Sequence, residues 1–153
     1  TWGSRTILAN DSLSETANTC MRMVTGSKTS ASLPEYGVAQ GNLINWLRYM
    51  TQAFQGTFVL TAHVQRQMNE VTGAVQLMTK AIGKAMADDI PQLFSETIYT
   101  TREGSAWYWD TAAANVDTKT RYLPIAGKIA PDFSQIMDKW VRRGSAETPA
   151  QAG

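Results

Sequence analysis

Residues 5–15 read RTILANDSLSE, and the folding of this stretch decides how the rest of the chain is organised. Residues 5–11 predict a short strand that ends at Asp11. Ser12 to Glu15 have the spacing of a capping box, in which Ser12 accepts from the N–H three residues on and Glu15 reaches back. Leu13, Ala17, Cys20, Met21 and Val24 then fall on one helical stripe. The expected unit is a strand, a sharp turn at an acid, and a helix.

Beyond it, residues 25–37 (TGSKTSASLPEYG) are small and polar and predict a loop. An amphipathic helix is expected from about Ala39 to Gln55, with Leu43, Leu47, Met50 and Phe54 on its apolar line and Trp46 and Ala53 widening it. Gly56 is expected to close that helix. Residues 57–62 (TFVLTA) have the apolar, β-branched character of a strand buried in a parallel sheet, ending at His63. The polar stretch 64–76 reads as a second loop, and 82–94 as a short helix disturbed by Pro91.

The pattern then changes. Residues 96–102 and 106–111 alternate on either side of Glu103-Gly104, which predicts a β-hairpin with Trp107 and Trp109 on one face, packed on the core. Residues 118–122 suggest one more extended segment. Pro131 suits the first turn of a last helix carrying Phe133, Ile136, Met137, Trp140 and Val141. The expected fold is α/β, a partial core of parallel strands with flanking helices whose sheet gains an antiparallel β-hairpin at one edge. It fills one domain, residues 1–143, followed by a flexible tail at 144–153.

Composition narrows the function. The 153 residues are 43% hydrophobic and 18% charged, a globular balance with no apolar run of spanning length. A formal charge of +1 excludes a strongly basic arm as the basis of function. One cysteine, Cys20, forms no internal disulfide, and one cysteine with one histidine supplies no ordinary zinc site. These features predict a soluble, cytoplasmic protein with no membrane partner. The sequence starts at Thr1 and shows no signal-peptide pattern, which suggests the ordered part of a longer chain.

Few residues are placed to carry chemistry. Asp11 closes the first strand, where an acid either holds a metal-bound phosphate ligand or, with Ser12, caps the next helix. His63 closes the second strand, as a phosphate-sensing side chain or as a strand-end histidine. Lys119 and Arg121, one residue apart on an extended segment, point to the same side. Such a pair either stabilises charge developing on a phosphoryl group across a subunit interface or is simply solvated. Lys28 and Arg66 are the candidate nucleic-acid contacts of the two loops. A metal-dependent nuclease would need several clustered acids, and only Asp11 is well placed. No G-x-x-x-x-G-K-[ST] motif occurs, and Gly26-Ser27-Lys28-Thr29 follows a helix rather than a strand.

The order of these pieces resembles a family. ILANDSLSE resembles the Walker B strand of RecA-like P-loop ATPases, and FVLTAH with its polar loop resembles the next core strand and its sensor position. AIGKAMADDIPQLFSETIY, the tryptophan hairpin and TKTRYLP look like the C-terminal half of phage RecA-like ATP-binding proteins, which are associated with single-strand annealing and recombination. The resemblance spans roughly residues 5–143.

It implies that Asp11 is the acid holding Mg²⁺, with Ser12 beside it at the nucleotide, and that His63 stands where relatives carry a polar sensor, often Gln. It implies that Lys119 and Arg121 form the K-x-R pair placed across the interface of a ring or filament, and that the two loops bind single-stranded DNA. The family's phosphate loop would lie before Thr1, so ATP, Mg²⁺ and ATPase activity are expected only with an upstream segment that supplies it. The competing expectation is a non-enzymatic phage structural or interaction protein that reuses the fold.

Overall fold

A computed structural model describes residues 3, 5–68, 73–83 and 85–138. The chain divides into two compact units, Thr1–Phe94 and Ser95–Gly153. It is a mixed α/β protein whose strands, among the described residues, pair as three separate two-stranded sheets.

In the first unit β1 (Ile7–Asn10) leads into α1 (Leu13–Thr25), then α2 (Leu33–Gln52), then β2 (Thr57–Leu60). The two strands run parallel, Ile7 opposite Thr57 and Asn10 opposite Leu60, so both finish at the same end of the pair. The stripe of α1 faces inward as its periodicity requires: Leu13 and Ala17 are buried, and Cys20, Met21 and Val24 pack on the same cluster. Leu43 and Leu47 of α2 are fully buried against them, and Trp46, Phe58 and Leu60 close the cluster. Trp46 meets Phe58 edge-on at 5.7 Å between ring centres.

The two helix starts exchange roles relative to expectation. Ser12 makes no side-chain cap bond, and Glu15 instead pairs with Arg22 at 2.9 Å on the exposed face. The capping acid belongs to α2, which starts six residues earlier than Ala39, inside the expected loop. There the N–H and hydroxyl of Ser32 both donate to Glu35 Oε2 at 2.8 Å, and Pro34 sits in the first turn, where a missing N–H costs nothing.

Lys28 pairs with the other oxygen of Glu35. The Lys28 ammonium, followed by the N–H and hydroxyl of Ser32, lowers the Glu35 carboxyl from its usual 4.5 to about 2. A depressed acid stabilises the folded state above its unfolded pKa, and that contribution disappears as the folded pKa is crossed. The first turn of α2 is therefore expected to loosen as pH falls from about 4.5 to about 2. Exchange of the Tyr36 amide, which donates to Ser32 O at 3.0 Å, reports it. Protection unchanged across that range would show that Glu35 does not hold the turn.

Gly56 does not cap α2, which ends at Gln52 with Ala53 as its cap. It lies where the chain enters β2: a Cβ there would sit 2.3 Å from the carbonyl oxygen of Thr6.

Residues 64–76 are mostly not a loop. β3 (Val64–Met68) and β4 (Val75–Thr79) form an antiparallel hairpin, Arg66 opposite Leu77. The alternation is regular but inverted: Gln65 and Gln67 are half-buried, while Val64, Arg66 and Met68 are exposed. Polarity hid a strand whose period of two was intact. α3 (Ala85–Gln92) follows, with Met86 and Ile90 in the first unit's core and Pro91 at its end as expected. Gln40 donates from Nε2 to Ile82 O at 2.7 Å, tying α2 to the start of this segment.

In the second unit β5 (Tyr99–Glu103) and β6 (Ala106–Asp110) make the expected hairpin, turning at Gly104 with φ 59°. It is a sheet of its own and not the edge of the parallel pair. Trp109, Leu123, Ile129 and Ile136 form a second core, and Trp109 and Ile129 exchange both backbone hydrogen bonds at 2.8 Å. Trp107 departs from expectation. It is 54% exposed, with the Arg102 guanidinium 5.7 Å from its ring centre. A hairpin covered on one face only near Trp109 leaves the next residue of that face in solvent.

Of the segment 118–122, Lys119 alone bridges, to Thr97. The last helix is described over 134–138, later than Pro131, with Asp132 accepting from the Ser134 N–H at 2.9 Å. Trp140, Val141 and the tail 144–153 lie outside the described residues.

Candidate functional site

The parallel pairing sets the site in the first unit. Because β1 and β2 finish level, Asp11 and Thr61 are the first residues beyond them and face each other, and the Thr61 hydroxyl donates to Asp11 Oδ1. The backbone closes the same end: Thr61 N–H donates to Asn10 O at 3.1 Å, and Leu13 N–H to Thr61 O at 2.8 Å. The first turn of α1 is thereby fastened to the end of β2. Thr16 donates to Asn10 Oδ1 at 3.0 Å, which orients the residue just before Asp11. Asp11 itself is exposed, and its peptide bond to Ser12 is cis.

Ser12 contributes through its backbone. Its carbonyl accepts from the N–H groups of Glu15 and Thr16, each at 3.1 Å. The Ser14 hydroxyl oxygen in the same turn is buried and makes no hydrogen bond within the described structure. His63 stands two residues beyond Thr61 with an exposed side chain, and its carbonyl accepts from Lys80 N–H at 2.7 Å.

The donors at this end are a carboxylate and hydroxyls. That set suits Mg²⁺, which takes hard oxygen ligands, keeps several waters and commonly uses only one or two carboxylates. Asp11 would hold the ion, directly or through water, and the ion would supply charge neutralisation for a phosphate. No group of three His, Cys, Asp or Glu side chains suited to a metal occurs among the described residues, so no all-protein cage is indicated.

The other expected contacts are dispersed. Lys28 follows α1 and is committed to Glu35. Arg66 is exposed in the middle of β3 rather than in a loop.

Lys119 and Arg121 lie in the second unit, both exposed with half-buried Thr120 between them. Their segment is held from three directions. Lys119 exchanges backbone bonds with Thr97 at 2.7 and 3.0 Å. The Thr120 hydroxyl bonds both backbone groups of Leu123, at 3.0 and 2.8 Å. Glu96 Oε1 accepts from the N–H groups of Arg121 and Tyr122 at 2.9 and 2.8 Å.

Two residues escaped the sequence reading. Thr61 is the partner of Asp11; with the second strand read as running to residue 62, nothing in the sequence marked Thr61 as a residue just past the strand. Glu96 had no signal either, because its contacts lie 25 and 26 residues away.

Comparison with protein-family models, curated proteins and solved structures returned no match. Among the described residues no helix is long and apolar enough to cross a membrane.

Proposed function

We propose that the chain is the C-terminal part of a RecA-like ATP-binding core of the phage type, acting on single-stranded DNA in recombination or replication. One observation supports this reading above the others: Asp11 closes one parallel strand and is met by a hydroxyl from the end of its neighbour. In open α/β sheets that end is where phosphate ligands bind. In this reading Asp11 and Ser12 stand at a Mg²⁺-nucleotide and His63 senses its phosphate. Self-association into a ring or filament brings Lys119 and Arg121 to a neighbouring subunit's nucleotide. Lys28 and Arg66 contribute DNA contacts, and ATP turnover belongs to a chain that includes an upstream phosphate loop.

The test, made on a chain that carries the upstream phosphate loop, is paramagnetic broadening by Mn²⁺ with ATP, read at the amides of Asp11, Ser12 and Thr61. Broadening confined to these amides and lost in Asp11→Asn is the expected result, since asparagine still accepts from Thr61 but carries no charge. Equal broadening in the variant would remove Asp11 from the metal role. Affinity for an oligothymidylate is expected to fall as salt rises. A chain that binds neither nucleotide nor single strands would instead be the structural or interaction protein.

A further inference from the structure

Two successive backbone N–H groups pointing at one oxygen form a small concave anion site, and in this protein its occupant is internal. Glu96 precedes the β5–β6 hairpin and places Oε1 on the Arg121 and Tyr122 amides, at 2.9 and 2.8 Å. Its second oxygen, Oε2, is buried and has no hydrogen-bond partner within the described structure. Glu96 is half-buried, and the two hydrogen bonds its carboxylate accepts hold their donors in place. What it holds is the backbone that carries Lys119 and Arg121.

The other two ties leave one freedom. The Thr97 bridge fixes Lys119, and Thr120 with Leu123 fixes the turn, but neither contacts the Arg121 amide. Glu96 alone anchors the backbone at Arg121 among the hydrogen bonds described. Without that anchor, the spacing between the two cations would vary with the backbone of residue 121.

We propose that Glu96 is a positioning residue for an oxyanion site formed by Lys119 and Arg121, which takes the phosphoryl groups of a polyphosphate. The proposal rests on the phosphate-binding role given to that pair above and adds how the pair is preorganised. Glu96 touches no ligand; it acts through the backbone of Arg121.

The experiment titrates the full chain with inorganic tripolyphosphate and follows the amides of residues 119–122 by NMR. Wild type is expected to show saturable shifts that Arg121→Ala removes. Glu96→Ala is expected to bind roughly tenfold more weakly, because the pair then has to be ordered on binding. Glu96→Gln keeps an oxygen at the same reach and is expected to restore affinity, whereas Glu96→Asp keeps the charge, falls one methylene short and is expected not to. The Trp109 amide, bonded to Ile129, reports that the second core is intact in each variant.

Restoration by Asp but not Gln would mean that charge, not the anchor, matters, and would overturn the proposal. So would wild-type affinity in both Glu96→Ala and Glu96→Asp. No saturable shift in wild type would overturn the phosphate role of the pair itself, an outcome distinct from a failure of Glu96. In wild type, slow exchange of the Arg121 amide is expected, and fast exchange would overturn the anchoring without any substitution.

Discussion

Leu47→Ala is expected to lower the stability of the first unit by about 2–5 kcal/mol. Leu47 is fully buried in the middle of α2, between the α1 stripe and the residues that close the cluster from β2 and α3. Truncation removes the transfer free energy of its side chain and leaves a void. Leu13 and Leu43, also fully buried, are held by helices whose backbones cannot collapse into the space. Denaturant unfolding followed by far-ultraviolet circular dichroism measures the loss. A change below about 1 kcal/mol would mean that the helices are not packed as described. Met50→Ala, one turn on and 9% exposed, is expected to cost less, because flexible methionine fits its site less tightly.

Gly56→Ala is expected to cost about 3 kcal/mol, a large effect for one methyl group. The added Cβ would lie 2.3 Å from Thr6 O and 2.7 Å from the Phe54 ring. The ring can swing aside, but the carbonyl cannot, since it accepts from Thr57 N–H at 2.8 Å as the first bond of the parallel pair. The chain has to move β2 away from β1. The damage extends to the candidate site, because the same pairing sets Thr61 opposite Asp11. Faster exchange at the Thr57 and Thr61 amides, together with a lowered unfolding midpoint, is the expected result. Wild-type exchange at Thr57 would show that the glycine is not required there.

Much of the first unit could be read locally. The α1 stripe, Leu43, Leu47 and Met50 of the α2 line and the two short strands follow from periodicity within a few residues and occur, whereas Ala53 and Phe54, expected on the same line, fall past the end of α2 at Gln52. The two starts of the helices were read less well, since Ser12-Glu15 and Ser32-Glu35 have the same spacing. Only the second acid reaches back, while Arg22, about two turns along α1, draws Glu15 away. In β3 the exposed face carries Val64 and Met68 and the half-buried face carries Gln65 and Gln67, so a reading by polarity finds a loop where the backbone pairs. In the second unit the hairpin was legible, but the exposure of Trp107 was not. Trp107 and Trp109 share a face, and only the extent of the cover on it, with Phe133 edge-on to Trp109 at 5.1 Å, separates them.

The candidate site divides in the same way. Asp11 was found because it lies just past a strand, a property of its own neighbourhood, and Lys119 and Arg121 because spacing by two is visible in the letters; His63 lies three residues beyond Leu60, where β2 ends, and not at the strand end expected of it. The sequence by itself thus determined the first two helices, the parallel strands and the β5–β6 hairpin, though not the β3–β4 pair. Tertiary structure decided which distant groups meet: the hydroxyl of Thr61 on Asp11, 50 residues away, the carbonyl of Thr6 against Gly56, and the carboxylate of Glu96 under Arg121. Helix and strand periods are set by bonds between near neighbours, so they are written in short windows of sequence. A contact between distant segments exists only once packing has brought them together, and no short window contains both partners.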